Sequence, residues 1–369
     1  MNSELPQLKA AEYRGRFGVW DVLIILGIFG LGWALFRFGG GMLVHFDEQA
    51  APQLDESLWS IPYYAGRTLL RMWIAFGCSL LFTFVVGYAA AKNRRVRAFV
   101  LPALDVLQSV PVLGFLSATV TGFMALFPGS LLGVECASIF AIFTGQVWNM
   151  TFGFYHSLVT IPADLEEAAT TFGLTRWQRF CTLEVPASMH SLLWNSMMSF
   201  GGGWFFVAQS EAISVMGKSI KLPGIGSYMA LAVERGNHLA ALWAVVAMLF
   251  VIVASDQLVW RPLIAWADRF KMELTDSGEA PSSWFYDMLR LSVFLEWLGA
   301  RVVEPVADIL RKLFSRSNGP RRVGIRGGVR LKHFLGWGMA FGVGVYVAIH
   351  AISGLLEASK AVYAEVSLQ

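Results

Sequence analysis

The stretch that decides the organisation of this chain is Glu-Glu-Ala-Ala-Thr-Thr-Phe-Gly at residues 166–173, followed by Leu-Glu-Val-Pro at 183–186. Both motifs lie in a polar segment, residues 159–187, between two long apolar runs. Irregular polar backbone exposed to lipid does not occur in the hydrocarbon region of a bilayer. The segment must therefore lie outside the membrane, and the apolar runs on either side predict membrane-spanning helices.

Composition supports a membrane protein for the chain as a whole. Of the 369 residues, 56% are hydrophobic and only 15% are charged, whereas a soluble domain carries about 25% charged residues. The predicted fold class is therefore all-α, a polytopic membrane protein. The lipid bilayer is the expected environment, and no nucleic-acid partner is expected.

About seven transmembrane helices are predicted from runs of roughly 20 apolar residues, the length that spans a bilayer. The predicted spans are 19–36, 72–91, 109–127, 133–158, 188–215, 239–260 and 335–356.

The placement of Lys and Arg predicts the orientation of the chain. With the N-terminus in the cytoplasm, 22 of the 29 basic residues lie in inside segments and five in outside loops. Such an excess is typical of cytoplasmic loops. The basic cluster at 92–97 is the sharpest anchor, and the polar segment 159–187 then faces the cytoplasm.

Local signals predict two short helices in the polar segment. Asp164 with Glu167, and Thr175 with Gln178, have the spacing of capping boxes, in which a side chain caps the start of a helix. Gly173 can take the left-handed conformation that ends the first helix. Pro186 is expected to stop the second helix before the next span.

Three cysteines and six histidines show no spacing typical of a metal site or a disulfide framework. Gly217-Lys218-Ser219 lacks the glycine that a phosphate-binding loop needs five residues earlier, where Ala212 stands. No catalytic residues, metal or cofactor are expected. The chain is not predicted to be an enzyme, and any ATP hydrolysis must belong to a partner.

The spaced pattern in the polar segment resembles that of a known family. Glu-Ala-Ala, three residues, Gly, nine residues and an aliphatic-x-aliphatic-Pro end is similar to the signature of permease subunits of bacterial ABC importers. The matching residues are Glu167, Ala168, Ala169, Gly173, Leu183, Val185 and Pro186. The resemblance covers residues 61–270. Residues 67–71, 94–95 and 108–113 look like the nitrate, sulfonate and taurine branch.

The resemblance implies a fold, a location and a mechanism. It implies a five-helix type I permease core with one helix added at each end, in the bacterial inner membrane. Segment 159–187 would be the coupling helix that docks on a separate ABC ATP-binding subunit, with Glu167 making polar contacts and Gly173 setting the bend. Further expected partners are a periplasmic or extracellular substrate-binding protein and a second permease unit, either another copy or a separate chain.

Polar residues within the predicted spans are candidates for a substrate pathway, because they are costly in lipid. Glu135 and Glu211 fall near the outer ends of their spans, where snorkelling to the interface is cheap, and an interfacial or helix-pairing role is equally open. The resemblance implies a small solute, such as an anion like nitrate, sulfonate or taurine, and carboxylates are poor ligands for an anion. The full set of candidates is Glu135, Gln146, Asn149, Gln209, Ser210 and Glu211.

The predicted domains are 1–60, a first span with an outside loop; 61–270, the permease region; 271–334, a cytoplasmic linker; and 335–369, a last span. An apolar stripe at helical spacing from Trp284 to Val302 predicts an amphipathic helix, either on the membrane surface or on the ATP-binding partner. The last span resembles the start of a second permease unit, so the chain is either a fragment of a duplicated permease or a subunit completed by another chain. The main alternative function is a secondary transporter that ATP does not drive.

Overall fold

The structure is a computed structural model that describes residues 19–42, 54–55, 57–215, 218–270, 282–292, 294–295, 301 and 305. The predicted last span, 335–356, and most of the predicted linker lie outside the described residues. The all-α fold class is confirmed. The helices are α1 Val19–Gly40, α2 Ile61–Phe82, α3 Tyr88–Lys92, α4 Arg94–Ser109, α5 Leu116–Leu126, α6 Leu132–Val159, α7 Ala163–Thr171, α8 Arg176–Arg179, α9 Val185–Glu211, α10 Ile225–Glu234, α11 His238–Ser255, α12 Arg261–Ala267 and α13 Trp284–Arg290.

Three continuous helical stretches in the described chain are long and apolar enough to cross a membrane, namely Asp21–Gly40, Leu58–Lys92 and His238–Phe270. Helices α6 and α9 have 28 and 27 residues, which at 1.5 Å per residue also exceed the thickness of a bilayer core. The predicted third span is not one helix. Pro111 follows the end of α4 and precedes a 3-10 turn, so α5 is left with 11 residues.

Two compact units divide the chain, and the larger consists of residues 37–156, 195–252 and 321–369. In its described part, three helices pack side by side. Thr83 of the π turn that follows α2 bonds Thr151 of α6 at 3.1 Å, and Ser138 of α6 bonds Ser210 of α9 at 2.7 Å. The order of such contacts along each helix shows that α2 runs parallel to α6 and that α9 runs antiparallel to both.

The predicted fifth span ends earlier than expected. Helix α9 stops at Glu211, and the chain then forms an antiparallel hairpin of β1, Ala212–Val215, and β2, Lys218–Lys221. Leu222, directly after β2, is fully buried in a cluster with Leu116 of α5 and Val134 of α6. The predicted outside loop that follows contains β2 and the helix α10.

Two π turns explain why prolines do not stop their helices. One covers Phe180–Glu184 and the other Asp256–Trp260, and each is followed by a helix with proline as its second residue, Pro186 or Pro262. Proline lacks a backbone N–H and its ring crowds the preceding turn, and a wider turn accommodates both effects. The expectation that Pro186 ends the second helix is wrong, because α8, the π turn and α9 form one continuous helix.

The second unit contains residues 1–36, 157–194 and 253–320. Asp21 of α1 is buried, and its carboxylate accepts hydrogen bonds from the Ser292 hydroxyl at 2.7 Å and the Phe294 backbone N–H at 2.8 Å. Helix α13 is shorter than the predicted amphipathic helix, since it ends at Arg290 and Leu291 forms a turn. The prediction of one continuous amphipathic helix is therefore wrong at Leu291, where the chain leaves the helix.

Candidate functional site

The first helix of the polar segment, α7, begins directly after Pro162. Pro162 occupies the N-cap position, and no side chain caps the helix. The predicted capping box of Asp164 and Glu167 is therefore wrong, because Asp164 lies inside the first turn. Proline presets a helical φ and needs no partner for a backbone N–H, so it can start a helix without a side-chain cap. The acidic side chains of Asp164 and Glu166 in this turn also stabilise the helix, because they lie at the positive end of its dipole.

Gly173 forms the tight turn that ends α7. Its φ is +65°, in the left-handed region. The backbone N–H of Phe172 donates to the Ala168 carbonyl at 2.9 Å, and that of Leu174 donates to the Ala169 carbonyl at 3.0 Å. A residue with a side chain is disfavoured in this conformation by about 1–2 kcal/mol. The prediction that Gly173 takes the left-handed conformation that ends α7 is confirmed.

Thr175 and Gln178 form the predicted capping box at the start of α8. The Thr175 hydroxyl accepts from the Gln178 backbone N–H at 3.2 Å, and the Gln178 side-chain oxygen accepts from the Thr175 N–H at 2.9 Å. Reciprocal capping of this kind fixes the entry of the chain into the helix. The turn between α7 and α8 is thus held at both of its ends.

Arg179 ties the two helices of the polar segment together. Its guanidinium forms an ion pair with Glu166 of α7 and donates from Nε to Oε1 of Glu184 at 3.1 Å. Glu184 is buried, so this contact is shielded from water more than an ordinary surface pair. Neither Arg179 nor Glu184 was predicted as a site residue. The signal in the sequence was an arginine in a short helix that follows a helix with acidic residues, since the two can form an ion pair between the helices.

The surface of the segment carries a pocket of about 420 Å³, which is lined by Glu166, Glu167, Thr170, Thr171 and Arg179. Glu167 and Gly173 are exposed, and Phe172, at the tip, is 80% exposed. Ala169 instead faces the chain itself and is buried. The other residues of the motif, Ala168, Leu183, Val185 and Pro186, are half-buried. The exposed part of the motif is therefore its acidic and glycine positions.

The structure separates the candidate pathway residues into two groups. Asn149 and Gln209 are exposed. Gln146 is fully buried, and neither atom of its amide has a hydrogen-bond partner among the described residues. Ser210 is buried and bonded to Ser138 of α6. The structure therefore does not gather the six candidates into one polar lining.

The three glycines of α9 have two different environments. A Cβ on Gly203 would lie 2.7 Å from Nε2 of Gln146, so Gly203 allows α6 and α9 to pack closely. A Cβ on Gly201 or Gly202 would meet no atom within 4 Å. These two glycines lie on an exposed face of α9 with Met198, Phe205 and Gln209. Gly203 is therefore a packing residue between α6 and α9.

Glu135 and Glu211 belong to a buried charge cluster with two arginines. Arg71 of α2 donates from Nε to Oε2 of Glu135 at 2.5 Å and from Nη1 to Oε1 of Glu211 at 2.7 Å. Arg67, one helical turn earlier, forms an ion pair with Glu135. All four residues are 0% exposed. Of the roles left open for the two carboxylates, the structure shows helix pairing. The expectation that they snorkel to the membrane surface is wrong, because both are buried and pair with guanidinium groups of α2.

The same cluster binds the start of α10. Oε2 of Glu211 accepts from the Gly226 backbone N–H at 2.8 Å, and the Thr68 hydroxyl accepts from the Ile225 N–H at 3.0 Å. Thr68 itself donates to Glu211 at 2.6 Å, and Arg71 donates to the Pro223 carbonyl at 3.0 Å. A carboxylate at the first N–H groups of a helix is a favourable arrangement, because these groups lack partners within the helix.

Arg67 and Arg71 were missed because the sequence assigned them to an outside loop. Helix α2 in fact begins at Ile61, so both arginines lie within it. Two signals could have found them. Residues four apart share one face of a helix, and two carboxylates within apolar spans need counterions.

Comparison with known proteins identifies the class. Residues 83–259 match the family described as the inner membrane component of binding-protein-dependent transport systems. This segment contains the polar loop and the helices α3 to α11. The chain is the transmembrane permease subunit of an ATP-driven, binding-protein-dependent importer, and an integral protein of the inner membrane.

Three curated relatives have similar sequences. The glycine betaine transport system permease protein OpuAB of Bacillus subtilis (strain 168) is 25% identical over 227 residues, which are 62% of this chain and 71% of that protein. The glycine betaine/carnitine transport permease protein GbuB of Listeria monocytogenes serotype 1/2a (strain 10403S) is 23% identical over 240 residues, 64% and 78% of the two chains. The taurine transport system permease protein TauC of Escherichia coli (strain K12) is 22% identical over 221 residues, 59% and 74% of the two chains.

Proposed function

We propose that the polar segment 159–187 is the coupling loop through which a separate ATP-binding subunit drives this permease. The observation that carries the proposal is a rigid exposed hairpin, held by the Gly173 turn, the Thr175 capping box and Arg179. It presents Phe172 and the acidic pocket at Glu167 to solvent. The tip of the hairpin therefore offers a partner one apolar side chain and several charged or polar ones.

The loop is built to pass a displacement on to the membrane region. The helix from Arg176 runs through the π turn into α9 without a break and ends at Glu211. A rigid helix transmits a push along its axis, whereas a flexible linker would absorb it. We infer that closure of the ATP-binding subunits moves the loop and α9 together. Hydrolysis of ATP then takes place in the partner, and this chain is not itself an enzyme.

The solute path is proposed to follow the exposed face of α9 that holds Gly201, Gly202 and Gln209, opposite a second permease unit. Apart from α9 itself, no described residue has an atom within 4 Å of a Cβ on either glycine, so this face leaves room for a solute or a neighbouring helix. Gln209 offers an exposed polar group there. Asn149 remains a candidate on α6, while Glu135 and Glu211 act through the buried cluster.

The solute is proposed to be a small zwitterion. The names of the relatives specify glycine betaine, carnitine and taurine, each of which carries one cationic and one anionic group on a small frame. This proposal replaces the broader expectation of an anion. In proteoliposomes with all subunits, we expect uptake of glycine betaine or taurine to exceed uptake of nitrate by about tenfold or more, a difference of about 1.4 kcal/mol. Faster uptake of nitrate would contradict it.

The orientation and the docking of the coupling loop can be tested together with Cys181. This thiol is exposed on the loop, which we place in the cytoplasm together with the N-terminus. In a Cys78→Ser, Cys136→Ser background, a membrane-impermeant maleimide is expected to label Cys181 in inside-out vesicles and not in intact cells. Addition of the ATP-binding subunit is expected to slow this labelling.

A second cysteine provides the matched control for that labelling. Asn237 lies in the exposed turn between α10 and α11, which the orientation places outside. An Asn237→Cys variant that also lacks Cys181 should be labelled from outside, at a rate that the ATP-binding subunit does not change. Labelling of Cys181 from outside would overturn the orientation, and equal labelling with and without the ATP-binding subunit would overturn the docking site.

A further inference from the structure

The start of α10 is held by side chains from two other helices. Thr68 and Arg71 come from α2, and Glu211 comes from the end of α9. Together they bind three backbone groups, which are the Pro223 carbonyl and the N–H groups of Ile225 and Gly226. We name Thr68, Arg71 and Glu211 the clasp. Its three side chains are all 0% exposed.

Glycines around the clasp show how closely its parts meet. A Cβ at Gly224 would overlap the carboxylate of Glu211, and a Cβ at Gly226 would lie 2.5 Å from the Ala208 carbonyl oxygen of α9. Such approaches are closer than any residue with a side chain allows. The backbone of α10 therefore contacts α9 directly at this point, and the clasp accepts hydrogen bonds from the N–H groups of Ile225 and Gly226.

The chemistry of the clasp makes it stiff. Removing one member of a buried hydrogen-bonded charge pair leaves an uncompensated charge, so each of the contacts is expensive to break singly. Arg71 holds both Glu135 and Glu211, which also fixes the carboxylate that accepts from Gly226. An apolar packing contact would allow α10 to slide, whereas directional bonds to backbone N–H groups do not.

We propose that Thr68 and Arg71 are positioning residues for transport, which make α10 move as one body with α2 and α9. This inference rests on the proposed transport function. The connection from α10 to α11 is itself a fixed turn, with Gly236 at φ +67° and the Asn237 side chain accepting from the Ala240 N–H at 3.1 Å. The clasp therefore sets the position of the exposed surface at 233–239 as well.

Thr68→Val is the sharpest test, because it keeps the shape of the side chain and the charge of the cluster while it removes two hydrogen bonds. Hydrogen–deuterium exchange of the chain alone is expected to rise at least tenfold at the backbone amide of Ile225. In proteoliposomes with all subunits, solute uptake per ATP hydrolysed is expected to fall at least tenfold. Arg71→Lys should give the same two results, since a single ammonium group cannot hold both carboxylates and Pro223.

Ser138→Ala is the matched control. Ser138 is also fully buried, and its hydroxyl joins α6 to α9 through Ser210 rather than through a residue of the clasp. It should change neither the exchange at Ile225 nor the ratio of uptake to hydrolysis.

Two results would overturn the proposal. Unchanged exchange in Thr68→Val would show that the clasp does not hold α10. Faster exchange with an unchanged ratio of uptake to hydrolysis would show that the clasp serves only the fold. A wild-type complex without ATP-driven uptake would overturn the proposed function, and with it the role in transport, while the exchange measurement would still decide whether the clasp holds α10.

Discussion

Replacing Gly173 by arginine is expected to reduce ATP-driven uptake by roughly 100-fold, which corresponds to a loss of about 3 kcal/mol of productive docking energy. Gly173 has a φ of +65°, and a Cβ there would meet no atom within 4 Å. The effect on the fold is therefore the strain of about 1–2 kcal/mol of a left-handed residue, which distorts the turn between α7 and α8. The larger loss comes from a long cationic side chain on the surface that the ATP-binding subunit must cover.

The measurement is uptake per inserted molecule, together with recovery of the ATP-binding subunit when the chain is purified in detergent. Gly236→Arg is the matched control for that recovery, because Gly236 has a φ of +67° and equally open surroundings in a different turn. It should insert and keep the ATP-binding subunit. Equal recovery of the ATP-binding subunit by both variants, with full uptake by Gly173→Arg, would contradict the coupling role of the segment.

Replacing Glu211 by glutamine is expected to lower the free energy of unfolding by about 3–5 kcal/mol, because it removes one partner from a buried ion pair. Arg71 would keep Glu135, but the cluster would carry an uncompensated positive charge in an environment without water. The amide also cannot accept as strongly from the Gly226 N–H as the carboxylate does. The measurement is denaturant unfolding in detergent, compared with the wild-type chain.

Two further variants separate the buried charge from loss of the side chain. The double variant Arg71→Met, Glu211→Met leaves Arg67 with Glu135. Its loss in the free energy of unfolding is therefore expected to be smaller, by about 0.5–3 kcal/mol, than the sum of the losses in the single variants Arg71→Met and Glu211→Met. The exposed pair of Asp256 and Arg261 is the control. Asp256→Asn should change the free energy of unfolding by less than about 1 kcal/mol. Additive losses in the double variant would contradict a coupled charge cluster.

The sequence determined the features that depend on neighbours along the chain. Apolar runs predicted where most of the long helices lie, because a lipid environment forces apolar backbone into helices. Gly173 and the pair of Thr175 and Gln178 were predicted correctly, since a left-handed turn and a capping box depend on a few neighbouring residues. The same spacing at Asp164 and Glu167 gave a wrong prediction, because Pro162 starts α7 there. The family pattern in the polar segment was found for the same reason.

Only the tertiary structure decided what the charged residues within the helices do. Glu135 lies 64 residues from Arg71, and Glu211 lies 140 residues from it, and no local pattern relates positions so far apart. Glu135 and Glu211 appeared as isolated carboxylates near a membrane surface, and Arg67 and Arg71 as loop charges. The parallel packing of α2 on α6, with α9 antiparallel, brings the middle of α2 next to the start of α6 and the end of α9. Burial there makes pairing obligatory, because an unpaired charge away from water costs far more than the pair does.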